Sequence, residues 1–224
     1  MAWREWVRTV EIEPSIYAAD FTHLGDQIQS LLNAGVRVFH FDIGDGHFIP
    51  PVTIGPIILR SIAPMIHRLD GRIDCHLMVD DPPHHFEEIA ASGGDSVTFH
   101  VEAVDDVGAV IEEAREHGLG VGVAFNPGTP VEVGAEAANL GADLCLCMSI
   151  EPGYSGQAFL DESYPRIEQL RGLVDCYVQV DGGVNDDNIH KVRAAGADLL
   201  IVGNGIFSHE DLPRAYRRLV QALA

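Results

Sequence analysis

The chain has 224 residues, 46% of them apolar, and a formal net charge of −20. A chain of this length buries roughly 70% of its unfolded surface, so a core needs neither disulfides nor a structural metal. The acidic balance argues against nucleic acid or anionic membrane as a partner, and no run of about 18 apolar residues could span a bilayer. Met1 to Val10 carries Arg4, Glu5 and Arg8 and does not read as a signal peptide, so the cytoplasm is the expected compartment. Cys75, Cys145, Cys147 and Cys176 fall in apolar runs without a Cys-x-x-Cys pair and read as buried, reduced thiols. Lys191 is the only lysine, so a phosphate site must use backbone N–H groups, helix N-termini or arginine.

In chain order, strand Glu11–Ile16 precedes helix Leu24–Ala34, and strand Val36–Ile43 precedes helix Pro56–Ile66. Strand Ile73–Met78 is followed by helix Pro83–Ala91, Ser96–Val101 by Val107–His117, and Gly120–Ala124 by Val131–Leu140. The last units are Leu144–Ser149 with Glu162–Leu173, Cys176–Val180 with Asp187–Ala195, and Leu199–Val202 with Asp211–Leu223. Short apolar runs alternating with amphipathic ones predict parallel strands joined by helical crossovers. Eight such units predict a single-domain α/β fold over residues 1–224, a (β/α)8 TIM barrel. Gly35, Gly94, Gly118, Gly141 and Gly196 each follow a helical stretch, where left-handed C-caps are expected. An open doubly wound sheet would need a Gly-x-Gly-x-x-Gly turn after the first strand, and Tyr17 to Phe21 contains no glycine.

Barrel chemistry sits at the C-terminal strand ends. His40 and Asp42 are two apart on one strand and share its inner face, while Phe39 and Phe41 point to the helices. His76 ends the third strand and Asp181 the seventh. Two imidazoles and two carboxylates suit Zn²⁺, Mn²⁺, Fe²⁺ or Co²⁺. The loops after strands six, seven and eight carry Gly153-Tyr154-Ser155-Gly156, Gly182-Gly183 and Gly203-Asn204-Gly205. Such turns, with a short helix N-terminus, form the usual barrel phosphate site. A cation on a carbonyl oxygen acidifies the neighbouring C–H, one carboxylate takes that proton, and a second returns one to the other face. Inversion at one carbon of a phosphorylated substrate follows, through an enediolate and without an organic cofactor. Asp45 and His47 read as loop-ordering residues, and His100 with Glu102 as a structural polar pair near the site.

The chain resembles the ribulose-phosphate 3-epimerase family. The resemblance is carried by Pro14-Ser15-Ile16, His40 to Pro50, Asp74 to Met78, His100 to Ala103, Asn126 to Pro130, Met148 to Gln157, Val180 to Asn185 and Gly203 to Phe207. It implies a metal-dependent isomerase interconverting D-ribulose 5-phosphate and D-xylulose 5-phosphate. By that resemblance His40, Asp42, His76 and Asp181 bind the metal, and Asp42 and Asp181 are the two acid/base groups. Ser15 and His76 touch the substrate, and Met78 and Met148 lie over the reacting carbons. Gly153, Tyr154, Ser155, Gly156, Gly182, Gly183, Gly203 and Asn204 hold the phosphate. The expected partners are a small-molecule sugar phosphate and further copies of the chain in a homo-oligomer. Three departures are Gly44 for the usual methionine, Pro51 for asparagine, and Asn204 for serine. Gly44 is expected to open space beside the reacting carbon, which keeps a six-carbon substrate such as D-allulose 6-phosphate as an alternative. A non-catalytic sugar-phosphate binder is the other. Aldol or decarboxylase chemistry of related barrels needs an Asp-x-Lys strand end, and Asp42-Ile43-Gly44 has no lysine.

Overall fold

The computed structural model describes residues 3–7, 10–154 and 156–223. Its strands are β1 Glu11–Pro14, β2 Val38–Gly44, β3 Arg72–Met78, β4 Ser96–His100, β5 Gly120–Phe125, β6 Leu144–Met148, β7 Tyr177–Asp181 and β8 Leu199–Val202. They form one parallel sheet in the order β1-β8-β7-β6-β5-β4-β3-β2. A parallel bridge from Ser15 to His40 brings the first strand against the second and completes the ring. The helices are α1 Leu24–Ala34, α2 Pro56–Arg68, α3 Phe86–Ser92, α4 Val107–Glu116, α5 Val131–Ala138, α6 Ser163–Leu173, α7 Ile189–Ala194, α8 Asn204–Phe207 and α9 Leu212–Ala222. This is the (β/α)8 barrel expected from the alternation of elements.

Strand periodicity divides the core in two. Phe39, Phe41, Cys75, Val97, Phe99, Cys145 and Cys147 point outward and pack with the helices. Val38, Ala124, Leu144, Leu146, Leu199 and Ile201 point inward. Trp3 and Trp6 join this inner layer and plug the N-terminal mouth, with ring centroids 5.0 Å apart. Most inward positions of β1 to β4, and of the second half of β7, are instead polar, among them Glu13, His40, Asp42, Asp74, His76, Ser96, Thr98, His100 and Gln179.

Several boundaries differ from expectation for local reasons. β1 stops at Pro14 and the chain turns into a 3-10 helix, Ile16–Ala18. β7 starts at Tyr177, so Cys176 stands before the strand and is only partly buried. Pro83 opens a 3-10 turn, Pro83–His85, before α3 begins. The left-handed cap of α3 is Gly93, with φ 95°, and not Gly94. Gly94 is required for another reason: a Cβ there would lie 2.5 Å from Ile89 Cγ2. Helix α8 is four residues long, too short to show a helical period in sequence.

Candidate active site

β2 and β3 pair so that Asp42 lies beside His76, and β6 and β7 so that Met148 lies beside Asp181. The twist of the ring brings these strand ends together. One ligand atom from each of His40, Asp42, His76 and Asp181 lies within 4.8 Å of the others. His40 Nε2 and His76 Nδ1 are each 3.2 Å from Asp42 Oδ1, and His76 Nδ1 is 3.9 Å from Asp181 Oδ2. Ser15 donates its hydroxyl to Asp42 Oδ2 at 2.6 Å. Asp42 and Asp181 open onto a cleft of about 330 Å³, which Ser15, Met78 and Met148 also wall. His40 and His76 are fully buried beneath it, so His76 reaches the cluster but does not wall the cleft.

The donor set fits a divalent cation. His40 Nε2 is buried, aimed at carboxylates, and has no hydrogen-bond partner. Two imidazoles and two carboxylates converging from three strands match borderline transition metals. Burial would raise Asp42, but the His40 and His76 imidazoles outweigh it and hold the carboxyl well below the usual range. Burial and the neighbouring Asp42 carboxylate push Asp181 up to about 7. Burial would lower His40, but Asp42 and Asp74 raise it well above an ordinary imidazole. The metal-free cluster therefore keeps protons where a cation would sit.

Under this cluster lies a polar floor that the sequence analysis did not single out. Gln179 donates to Glu13 Oε2 at 2.7 Å and to Asp74 Oδ2 at 3.0 Å. Ser96 and Thr98 donate to Asp74 Oδ1 at 2.8 and 3.2 Å. Asp74 Oδ2 also faces His40 Nδ1 at 3.3 Å, bracing the far side of that ring. Glu13, His40 and Asp74 could themselves crowd a cation. However, Gln179 already occupies both carboxylates, and burial next to Asp74 pushes Glu13 far up toward its neutral form. The readable signal was polar residues at alternate, inward positions of β1, β3, β4 and β7.

At the other end of the cleft, Gly153, Tyr154, Gly156, Gly182, Gly183, Gly203 and Asn204 all contribute wall. Ser155 lies outside the described residues. Asn185 and Asn188 both donate to the Gly183 carbonyl, at 3.0 and 2.9 Å, and fix the turn after β7. Gly183 has φ 65°, and a Cβ there would lie 2.4 Å from Phe159 N, so no other residue fits. Ser149 ties the end of β6 to that turn by donating to the carbonyls of Asp181 and Gly182, each at 2.7 Å. No arginine or lysine lines the cleft among the described residues; its charged walls are Asp42 and Asp181. Tyr17, Gln157 and Asn185 line it as well and were not anticipated.

The space expected beside Gly44 is filled. A Cβ on Gly44 would lie 2.5 Å from Ile49 Cδ1, and Ile49 is buried. The loop carrying Ile49 is firmly tied. Thr53 donates its hydroxyl to the Asp42 carbonyl and accepts from Gly44 N–H, each at 2.7 Å. Asp45 accepts from the backbone N–H groups of His47, Phe48 and Asp80, the loop-ordering role expected of it. Pro51 stacks under Gly153, where a Cβ would come within 3.4 Å of its ring. Ile49 replaces in space what Gly44 lacks in sequence.

Comparison with known proteins decides the family. The family described as "Ribulose-phosphate 3 epimerase family" matches residues 11–207. The chain belongs to the ribulose-phosphate 3-epimerase family. It is 35% identical to the ribulose-phosphate 3-epimerase of Bacillus subtilis, over 92% of this chain and 96% of that one. It is 36% identical to that of Aquifex aeolicus, over 93% and 94%. Among solved structures, 3-hexulose-6-phosphate synthase from Salmonella typhimurium superposes with a TM-score of 0.72 at 17% identity, covering 95% and 98% of the two chains. Orotidine 5'-phosphate decarboxylase from Pyrococcus horikoshii gives 0.67 at 16%, covering 95% and 98%. These two share the barrel; membership of the epimerase family rests on the sequence relatives.

Proposed function

We propose that the protein is a metal-dependent ketose-phosphate 3-epimerase that interconverts D-ribulose 5-phosphate and D-xylulose 5-phosphate. The observation carrying this is the placing of Asp42 and Asp181 in one cleft, on a four-residue ligand cluster, with glycine turns at the far end. His40, Asp42, His76 and Asp181 would hold the cation. When bound, it supplies a Lewis acid for the substrate's carbonyl and for the charge that develops on proton removal. Zinc, iron, manganese and cobalt all suit the donor set.

Asp42, kept ionised by the imidazoles and oriented by Ser15, takes the C3 proton as a base. Asp181, poised near neutrality, delivers a proton to the opposite face of the enediolate. Reversal of the roles runs the reaction backward. Met78 and Met148 present thioethers to the reacting carbons and keep water out. The phosphate rests on backbone N–H groups of the turns at Gly153–Gly156, Gly182-Gly183 and Gly203-Asn204. With no cationic side chain lining the cleft among the described residues, those dipoles carry the recognition of the dianion.

Ile49 fills the space beside Gly44, which favours a five-carbon over a six-carbon ketose phosphate. A coupled assay on ribulose 5-phosphate beside allulose 6-phosphate, with metal content measured on the same sample, tests the reading. A higher kcat/KM for the pentulose with bound metal is expected. A preference for the hexulose, or metal-free protein with full activity, would overturn it.

A further inference from the structure

A side chain can donate to a phosphate dianion in the cleft only if the protein has not already used its hydrogen. Most of the donors in the cleft wall are committed. Ser15 donates to Asp42 at 2.6 Å. The Gln157 amide donates to the carbonyls of Glu151 and Tyr154, at 2.7 and 3.1 Å. Asn185 donates to the Gly183 carbonyl at 3.0 Å, and Asn204 is engaged within the protein. Two phenols differ. Among the described residues, neither the Tyr17 nor the Tyr154 hydroxyl has a hydrogen-bond partner. Tyr154 is 57% exposed, whereas the Tyr17 ring is half-buried and its hydroxyl is not enclosed.

The local fold explains how Tyr17 comes to wall the cleft. After β1 the chain closes into the 3-10 helix Ile16–Ala18. Ala18 N–H donates to the Ser15 carbonyl at 3.1 Å, and Ala19 N–H to the Ile16 carbonyl at 3.0 Å. Ile16 is fully buried and anchors the turn, so Ser15 and Tyr17 on either side of it face the cleft. Ser15 N–H donates to the Val202 carbonyl at 3.1 Å, and Ser15 bridges to His40 on its other side. The end of β1 therefore stands between the cation cluster of β2 and the Gly203-Asn204-Gly205 turn that follows Val202. The Ser15 hydroxyl serves the cluster. Tyr17, two residues farther along, stands beside the turn with its hydroxyl unused.

We propose that Tyr17 is a substrate-binding residue whose phenolic hydroxyl donates to a phosphate oxygen of the ketose phosphate. The proposal rests on the reading of the cleft as a sugar-phosphate site and adds a side-chain donor to its backbone N–H groups. A neutral donor on a dianion makes a charge-assisted hydrogen bond, and here no internal bond is broken to form it. The phosphate is remote from the reacting carbon, so the bond is the same before and during epimerisation. Its loss belongs in KM and not in kcat.

Tyr17→Phe removes one oxygen that bonds to nothing in the protein, so Tm should not move. KM for ribulose 5-phosphate should rise about 10-fold, the worth of a hydrogen bond to a charged group, with kcat within about twofold. Calorimetry on the metal-loaded protein should record the same rise in the dissociation constant for glycerol 3-phosphate, a phosphate ester without the reacting carbonyl. Unchanged KM and unchanged affinity for that ester would overturn the proposal. So would a raised KM with unchanged ester affinity, which places the phenol on the sugar hydroxyls, or a kcat loss of about tenfold, which places it in the chemistry. If wild type does not turn over ribulose 5-phosphate, the assigned activity fails while the ester comparison still decides the role of Tyr17. Wild type without affinity for the ester would remove both.

Discussion

At the residue scale, the cluster combines one carboxyl held ionised and another pushed up to about 7 by burial and its neighbour. That split suits two proton carriers with opposite starting states. Asp42→Asn and Asp181→Asn should each cost about 10²–10⁴-fold in kcat, since each removes a proton carrier. Circular dichroism should find both folded; a variant keeping a tenth of the activity would break the two-base scheme. The raised Asp181 and His40 also make cation uptake proton-linked. As pH falls through about 7, Asp181 protonates in the metal-free site and competes with the cation, so affinity should fall. Calorimetry in buffers of different ionisation enthalpy should record net proton release near neutrality; none would contradict the protonation order.

At the element scale, the loop between β2 and α2 is as much a part of the site as the strands. Its Ile49 occupies the place a side chain at Gly44 would take. Gly44→Met should therefore destabilise the fold by about 1–3 kcal/mol through overpacking. Adding Ile49→Ala should relieve most of that loss, measured by urea denaturation; additive losses would mean the two positions do not share space. The sequence alone suggested an open cavity here, because the missing side chain is visible in one dimension and its substitute is not. Gly93 and Gly94 teach the same lesson: adjacent glycines are indistinguishable as letters. One caps a helix, whereas the other yields to Ile89 and Cys75.

At the scale of the whole molecule, the two mouths of the barrel divide the labour. Trp3 and Trp6 seal the N-terminal mouth, and the cation cluster occupies the C-terminal one. Trp3→Ala should cost about 3–5 kcal/mol of stability yet leave KM and metal affinity unchanged, by denaturant titration beside kinetics. A large change in metal affinity would show the two mouths to be coupled. Chelation should lower Tm and added Zn²⁺ or Mn²⁺ restore it, with stabilisation of about 4 kcal/mol at a thousandfold excess over Kd. An unchanged Tm would argue against a site built in the folded state.

The amino-acid sequence alone was enough for the barrel, the outward and inward faces of its strands, and the four residues of the cluster. Period-two alternation and strand position are local properties: Asp181 ends β7, Asp42 and His76 lie in the C-terminal halves of β2 and β3, and His40 stands one inward step before Asp42. What only the tertiary structure decided is how residues distant in the chain divide their partners. Gln179 spans Glu13 and Asp74, 166 and 105 positions away, and His100 stands behind His76 only because β3 and β4 are neighbours in the ring. A buried polar group is defined by what surrounds it, and closure of the eight strands supplies those surroundings.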